Sequence, residues 1–174
     1  MGKLEAKIIV GMTGSVAVTE ALRLIRVLRK KYEICAVLSD AAKKLISKEL
    51  VRWFAGEIVE ISGYAEHIKV VEEAKLMIIA PATANTISKI AHGIADTPVT
   101  LVALSAYKKI PIIIAPAMHI NMYTHPVIQE NLKKLEKLGF IIARPRIENK
   151  KAKIASAEEI AEMVEKVLKS SKEN

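Results

Sequence analysis

The stretch Leu76-Met77-Ile78-Ile79-Ala80-Pro81-Ala82-Thr83-Ala84-Asn85-Thr86 decides the fold. Its first five residues are apolar without polar alternation, as in a strand covered on both faces. Pro81 then ends the strand, and Thr83 and Asn85 suit a helix N-terminus, so a helix is expected over Ala84–Ala91. A doubly covered strand that feeds straight into a helix belongs to a parallel sheet, because parallel neighbours need a crossover and the crossover supplies the cover.

The pattern recurs outward in both directions. Residues 7–10, 34–38 and 110–115 are short, apolar and rich in Ile and Val, and 140–142 is a weaker fifth strand. Between them, residues 16–31, 65–73, 99–107 and 126–138 carry apolar side chains at three- and four-residue spacing, and 157–169 adds a closing helix. Strand and helix in alternation predict right-handed crossovers and an open, doubly wound α/β fold: a Rossmann-like, flavodoxin-type parallel sheet with helices on both faces. No repeat, low-complexity tract or linker divides the chain. Residues 1–174 are therefore expected to form one unit, with a flap over about 144–156 and the last helix over about 157–170.

Composition narrows the class. An apolar fraction of 51% is ample for a core, and the net charge of +8 suits an anionic ligand. Aromatics are only 4% and do not interleave with the basic residues, which leaves little for stacking on nucleic-acid bases. The single cysteine, Cys35, sits inside an apolar strand and has no partner for a disulfide, as expected of a cytoplasmic protein. Apolar runs of about nine residues fall far short of the roughly 20 that span a bilayer, so no membrane segment is expected. Met1-Gly2-Lys3-Leu4-Glu5 lacks the apolar stretch of a secretory signal. Abundant Ile, Lys and Glu with a single Gln hint at a thermophilic source.

In such a sheet a ligand binds beyond the carboxyl ends of the strands. Gly11-Met12-Thr13-Gly14-Ser15 follows the first strand there, and its free N–H groups at a helix start suit a phosphate, although Ser15 could equally be a plain cap. The spacing is not that of a dinucleotide loop, and no acidic residue about 20 positions on is placed to hold a ribose, which favours a mononucleotide. Ser39 either caps a helix from Asp40 or turns its hydroxyl to the same phosphate. Ala82 and Ala84 keep a wall low enough for a flat ring, and Thr83 and Asn85 offer hydrogen bonds beside it.

His67, at the start of a helix before the strand at Leu76, is either a surface residue or an acid–base group. His92 suits a helix end and His125 a turn before Pro126. No histidine has metal-ligand spacing with another His, Asp or Glu, so no metal is expected. Pro116-Ala117-Met118-His119-Ile120-Asn121-Met122-Tyr123 gathers an imidazole, an amide and a phenol in one loop at the ligand edge. The basic run 144–153 reads either as a solvated loop or as a flap over an anionic substrate.

Taken together, these residues resemble the homo-oligomeric flavin-containing cysteine decarboxylases, closest to the decarboxylase part of the archaeal bifunctional phosphopantothenoylcysteine synthetase/decarboxylases. Gly14-Ser15-Val16-Ala17, Glu66-His67-Ile68, residues 81–86, Gly93-Ile94-Ala95-Asp96, 116–123 and 145–155 carry the resemblance in order along nearly the whole chain. It implies FMN held by Gly14, Ser15, Val16, Ser39, Pro81, Ala82, Thr83 and Asn85. It also implies a catalytic set of His67, Asn121 and His119, with substrate contacts from Ala117, Met118, Met122, Lys151 and Lys153. The implied assembly is a homotrimer or a group of trimers with flavin between subunits, and the implied substrate is a small anionic thiol.

Two departures stand out. His119 replaces the asparagine that usually follows the motif's first methionine, so the carboxylate-binding role passes to His119 or Asn121. The flap has no cysteine, whereas bacterial relatives use one there to protonate an enethiol; Tyr, Lys or water would have to serve. No synthetase half follows, so the chain is expected to be a stand-alone decarboxylase or a piece of a bifunctional protein.

The implied reaction is the FMN-dependent conversion of 4′-phosphopantothenoylcysteine to 4′-phosphopantetheine in coenzyme A biosynthesis. Losing CO2 from a cysteine carboxylate needs an electron sink, and flavin is one. A flavin prenyltransferase relative would show a Gly-Ala-Ser-Gly first loop, which is missing. A pterin reductase relative would tolerate the missing flap cysteine, and a non-enzymatic flavin-binding subunit would need no catalytic group.

Overall fold

Strand β1 (Lys7–Met12) leads through α1 (Val18–Leu28) to β2 (Glu33–Leu38), then α2 (Asp40–Lys43), α3 (Lys48–Ala55) and β3 (Gly56–Ile58). The chain returns by α4 (Glu66–Glu73) to β4 (Leu76–Ala82), α5 (Ala84–Ala91), α6 (Pro98–Ala106) and β5 (Ile112–Pro116). After β6 (Met118–His119), α7 (Ile120–Tyr123) and α8 (Pro126–Lys137) come β7 (Ile141–Ile142), the β8 (Arg146–Glu148) and β9 (Lys151–Lys153) pair, and α9 (Ala157–Ser170). The computed structural model describes residues 6–62 and 64–171; the readings of residues 1–5 and of Gly63 fall outside the described residues.

Six strands form one sheet in the order β3-β2-β1-β4-β5-β7, and every pair in it is parallel. Alternate residues feed two cores. Ile8, Val10, Ile34, Ala36, Leu76 and Ile78 pack with α1, α3 and α9, while Ile9, Cys35, Val37, Met77 and Ile79 pack with α4, α5, α6 and α8. Gly11 admits α6 to the second face, because a Cβ there would lie 2.9 Å from Val99 Cγ1.

Several expected boundaries move for local reasons. The first helix begins at Val18 rather than Val16, since residues 13–17 turn on themselves: the Ser15 N–H donates to the Thr13 carbonyl at 2.8 Å and the Val18 N–H to the Ser15 carbonyl at 3.0 Å. Ala17, not Ser15, is its N-cap. Strand β5, expected from residue 110, begins at Ile112, because the Ile110 N–H is drawn back to the Ala106 carbonyl that ends α6. The flap is no open loop. It is a hairpin, β8 and β9, closed by Asn149 and Lys150 at φ 48° and 60°, and β9 pairs antiparallel with β6 in a second, three-stranded sheet. Two consecutive positive φ angles make the primed turn whose twist matches a two-residue hairpin.

Candidate functional site

The strand order reverses between β1 and β4: from β1 the chain builds outward to β3, then returns to lay β4 on the other side of β1. The crevice beyond the carboxyl ends at such a reversal is where ligands bind in open α/β sheets. Thr13 ties the two loops together there. Its side chain is buried, donates to the Pro81 carbonyl at 2.6 Å and accepts from the Thr83 N–H at 3.2 Å.

A cavity of about 420 Å³ opens at this point. It lies within the roughly 300–1,000 Å³ of small-molecule and cofactor pockets. Of the residues expected from sequence, Gly14, Ser15, Ser39, Thr83, Asn85, Ala117, Met118 and Met122 line it. Gly14 is required by packing, because a Cβ there would sit 2.5 Å from the Ala41 Cβ. Ser39 is the N-cap of α2 and also lines the cavity. Its oxygen accepts the Ala42 N–H at 3.2 Å as the α2 cap, which leaves the hydroxyl proton for a ligand. Thr83 caps α5 through the Thr86 N–H at 3.3 Å, while the exposed Asn85 side chain has no partner among the described residues.

A second cavity, of about 470 Å³, adjoins the first through Ser15, Ala117 and Met118. Val16, His119, Lys151 and Lys153 line this one, so Val16 faces the flap cavity and not the first one. Arg146 joins them. Lys153 Nζ lies 2.7 Å from the Glu148 carboxylate, which holds the Glu148 pKa below the ordinary range, and Arg146 lies 3.8 Å from the same group. No ion pair engages Lys151 among the described residues.

Four expected site residues stand apart. Pro81 and Ala82 are buried as the last residues of β4, with the Pro81 carbonyl taken by Thr13, so they shape the cavity from behind and do not line it. Asn121 is exposed on α7 and lines neither cavity; its backbone N–H, not its amide, engages His119 Nδ1 at 3.3 Å. His67 sits on α4 and also lines neither cavity, and its Nδ1 is buried without a hydrogen-bond partner among the described residues.

Sequence reasoning did not single out Thr13 or Thr97, the latter lining the first cavity from the capping box of α6. The available signal was their position: Thr97 is a hydroxyl residue that caps a helix, and Thr13 follows the first strand at the ligand edge. Cys35 is fully buried, and burial, reinforced by the nearby Glu57 charge, pushes its thiol up to about 12, so it presents no thiolate at neutral pH. A larger cavity of about 530 Å³ lies at the opposite edge of the sheet, near Ala6, Lys75 and Pro111, away from the strand reversal.

Comparison with known proteins bears on this geometry. A sequence family described as Flavoprotein matches residues 2–169. The coenzyme A biosynthesis bifunctional protein CoaBC of Thermococcus kodakarensis is 47% identical over 161 residues, which cover 88% of this chain and 40% of that protein. The probable phosphopantothenoylcysteine decarboxylase of Streptococcus mutans is 34% identical over 148 residues, 80% of this chain and 83% of that one. Among solved structures, the peptidyl-cysteine decarboxylase EpiD superposes with a TM-score of 0.84 at 27% identity, covering 91% of this chain and 97% of that one. The chain thus spans 40% of the length of the archaeal bifunctional relatives it matches.

Proposed function

This chain belongs to the Flavoprotein family, and from that premise we propose that it binds FMN and decarboxylates 4′-phosphopantothenoylcysteine to 4′-phosphopantetheine, a step of coenzyme A biosynthesis. The observation that carries the reading is the pair of adjoining cavities at the strand reversal, one walled by small hydroxyl residues and the other by cations. Similarity to the Streptococcus mutans protein, over most of both chains, supports the choice of substrate.

The first cavity suits FMN in its chemistry. Gly14 lets the first loop lie against Ala41, Ser15 and the Ser39 hydroxyl proton offer donors for a phosphate, and the Asn85 amide, without a partner among the described residues, offers donor and acceptor to a flat polar ring. Flavin held there would supply the electron sink that loss of CO2 from a cysteine carboxylate needs. The chain's own residues do the rest. Ala117 and Met118, shared by both cavities, present an apolar wall that keeps water from the reacting carbon, and the cations beyond them hold the anionic substrate. His67, with a ring nitrogen that no group among the described residues satisfies, holds or moves the substrate's proton.

His67 must therefore reach a cavity that its own chain does not line with it. We place it there from a second copy: α4 and α6 pack side by side, and Tyr64 ahead of α4, Ile68 on α4 and Leu104 on α6 are exposed, apolar side chains suited to another subunit. The assembly we propose is a homotrimer or a group of trimers, as the resemblance to homo-oligomeric flavoproteins implies. The chain then acts as a single flavin-binding unit in the cytoplasm; among the described residues no helix is long and apolar enough to cross a membrane. A flavin-loaded preparation given 4′-phosphopantothenoylcysteine, with release of CO2 and of 4′-phosphopantetheine measured together, tests the reading.

A further inference from the structure

We propose that the face made by the C-terminal end of α1 and by α3 is a docking surface for an acidic segment of another protein, with Trp53 as its apolar anchor and Arg26 and Lys30 as its charge partners. This goes beyond the proposed function and does not depend on it. The two helices pack side by side. Val51 and Ala55 of α3 are buried, while Trp53, between them in sequence, turns outward and is 81% exposed. A tryptophan left so fully in water contributes little to a core. At protein interfaces tryptophan and arginine are the residues most often found to anchor binding.

An open cavity of about 600 Å³ lies beside the indole, lined by Arg26, Arg29, Lys30, Trp53 and Phe54. Its cations play different parts. Arg29 is held by the fold: its Nη1 donates to the Trp53 carbonyl at 3.2 Å and to the Phe54 carbonyl at 2.9 Å, which caps the C-terminus of α3. Arg26, in the last turn of α1, and Lys30, just beyond it, make no ion pair or side-chain hydrogen bond among the described residues. Their neighbours Arg23 and Lys31 are paired with Glu158 and Glu165 of α9. Glu49, one turn ahead of Trp53 on α3, does not line the cavity, and no other carboxylate among the described residues does. The field over the ring is therefore positive, and a segment that brings carboxylates together with an apolar side chain is its complement. A second copy docked face to face would set the same cations against each other. A nucleic-acid strand would find one stacking ring and two free cations, where strand binding draws on a run of rings and several phosphate contacts. From Glu20, which lines the flap cavity, to Lys30 is about 15 Å along α1, so a docked segment leaves the proposed active site open.

Trp53 is the chain's single tryptophan, so its emission reports on this face alone. The probes are a poly-glutamate peptide and a second peptide with the same number of glutamates and with phenylalanines interspersed. Each is titrated into the purified protein at about 0.15 M salt, where charges more than about 8 Å away are largely screened. Anisotropy of labelled peptide gives affinity, and unlabelled peptide is used to follow Trp53 emission. The phenylalanine-bearing peptide should bind roughly tenfold or more tightly than poly-glutamate and shift the emission, and Trp53→Ala should remove that preference. Arg26→Glu combined with Lys30→Glu should weaken both peptides roughly tenfold or more. Lys133→Glu combined with Lys137→Glu, at exposed positions of α8, changes the net charge equally and should alter binding by less than about twofold. Circular dichroism reports that each variant is folded. Equal weakening by the two double variants, unmoved Trp53 emission, or no binding of the phenylalanine-bearing peptide overturns the proposal. So does a single-stranded RNA that binds more tightly than that peptide and quenches Trp53, which would assign the face to nucleic acid.

Discussion

Thr13 and Pro81 are joined by a 2.6 Å hydrogen bond from the threonine hydroxyl to the proline carbonyl, across the point where the sheet reverses direction. The same hydroxyl accepts the Thr83 N–H at 3.2 Å, so one buried side chain sets the spacing of the two loops that frame the first cavity. Without it, a buried carbonyl and an N–H of the cavity wall would lose their partner together.

Thr13→Val keeps the shape and removes both bonds. The expected cost is about 1–3 kcal/mol of stability, the penalty for orphaned buried polar groups, together with weaker flavin retention. Thr13→Ser, which keeps the hydroxyl, should largely restore both. Chemical denaturation and flavin release on dilution measure the two effects.

Cys35 should be chemically silent while the protein is folded. Its pKa is raised to about 12 from 9.0, so folding favours the protonated thiol; that contribution is complete below pH 9 and is lost as pH rises toward 12. Cys35→Ala should therefore flatten the decline in stability between those limits and leave turnover intact. Iodoacetamide should label the unaltered protein only after denaturant is added.

His67→Asn should retain flavin and lose turnover by roughly 10²-fold or more, the usual loss for a positioned acid–base group. If His67 serves a neighbouring subunit's cavity, mixing this variant with an Asn85→Trp variant that cannot hold flavin should recover activity in the mixed oligomers. Light scattering of the unaltered protein should give a trimer or a multiple of one. No recovery on mixing, or a flavin-bound monomer of about the 19.1 kDa chain mass, would contradict the placement of His67.

The alternation of apolar strands with amphipathic helices was plain in the sequence because both faces of the sheet are covered: Ile78 and Met77 serve opposite cores, so β4 shows an unbroken apolar run. The same is true of the small-residue loops, whose residue types follow from the close approach of Gly14 to Ala41. Other features were hidden for physical reasons. The α3–β3 unit is short and peripheral, with Trp53 exposed and β3 only three residues long at the sheet edge, so it carries little periodic signal. The β6–β9–β8 sheet has strands of two or three residues, below the length at which alternation can be read. Its hairpin turn uses Asn149-Lys150, with a lysine at positive φ where glycine is the usual marker.

That lysine supplies another prediction. Lys150→Gly relieves a left-handed backbone that costs a non-glycine residue about 1 kcal/mol, and it leaves intact the Lys150 carbonyl that accepts from Ile120. The hairpin should become more protected from hydrogen exchange.

The central claim is met most directly by one measurement. The purified chain, reconstituted with FMN and given 4′-phosphopantothenoylcysteine, is followed by mass spectrometry of the thiol product. The account predicts loss of CO2 and accumulation of 4′-phosphopantetheine, dependent on FMN and cut roughly 10²-fold or more by His67→Asn. Folded, FMN-loaded protein that returns the substrate unchanged would contradict it.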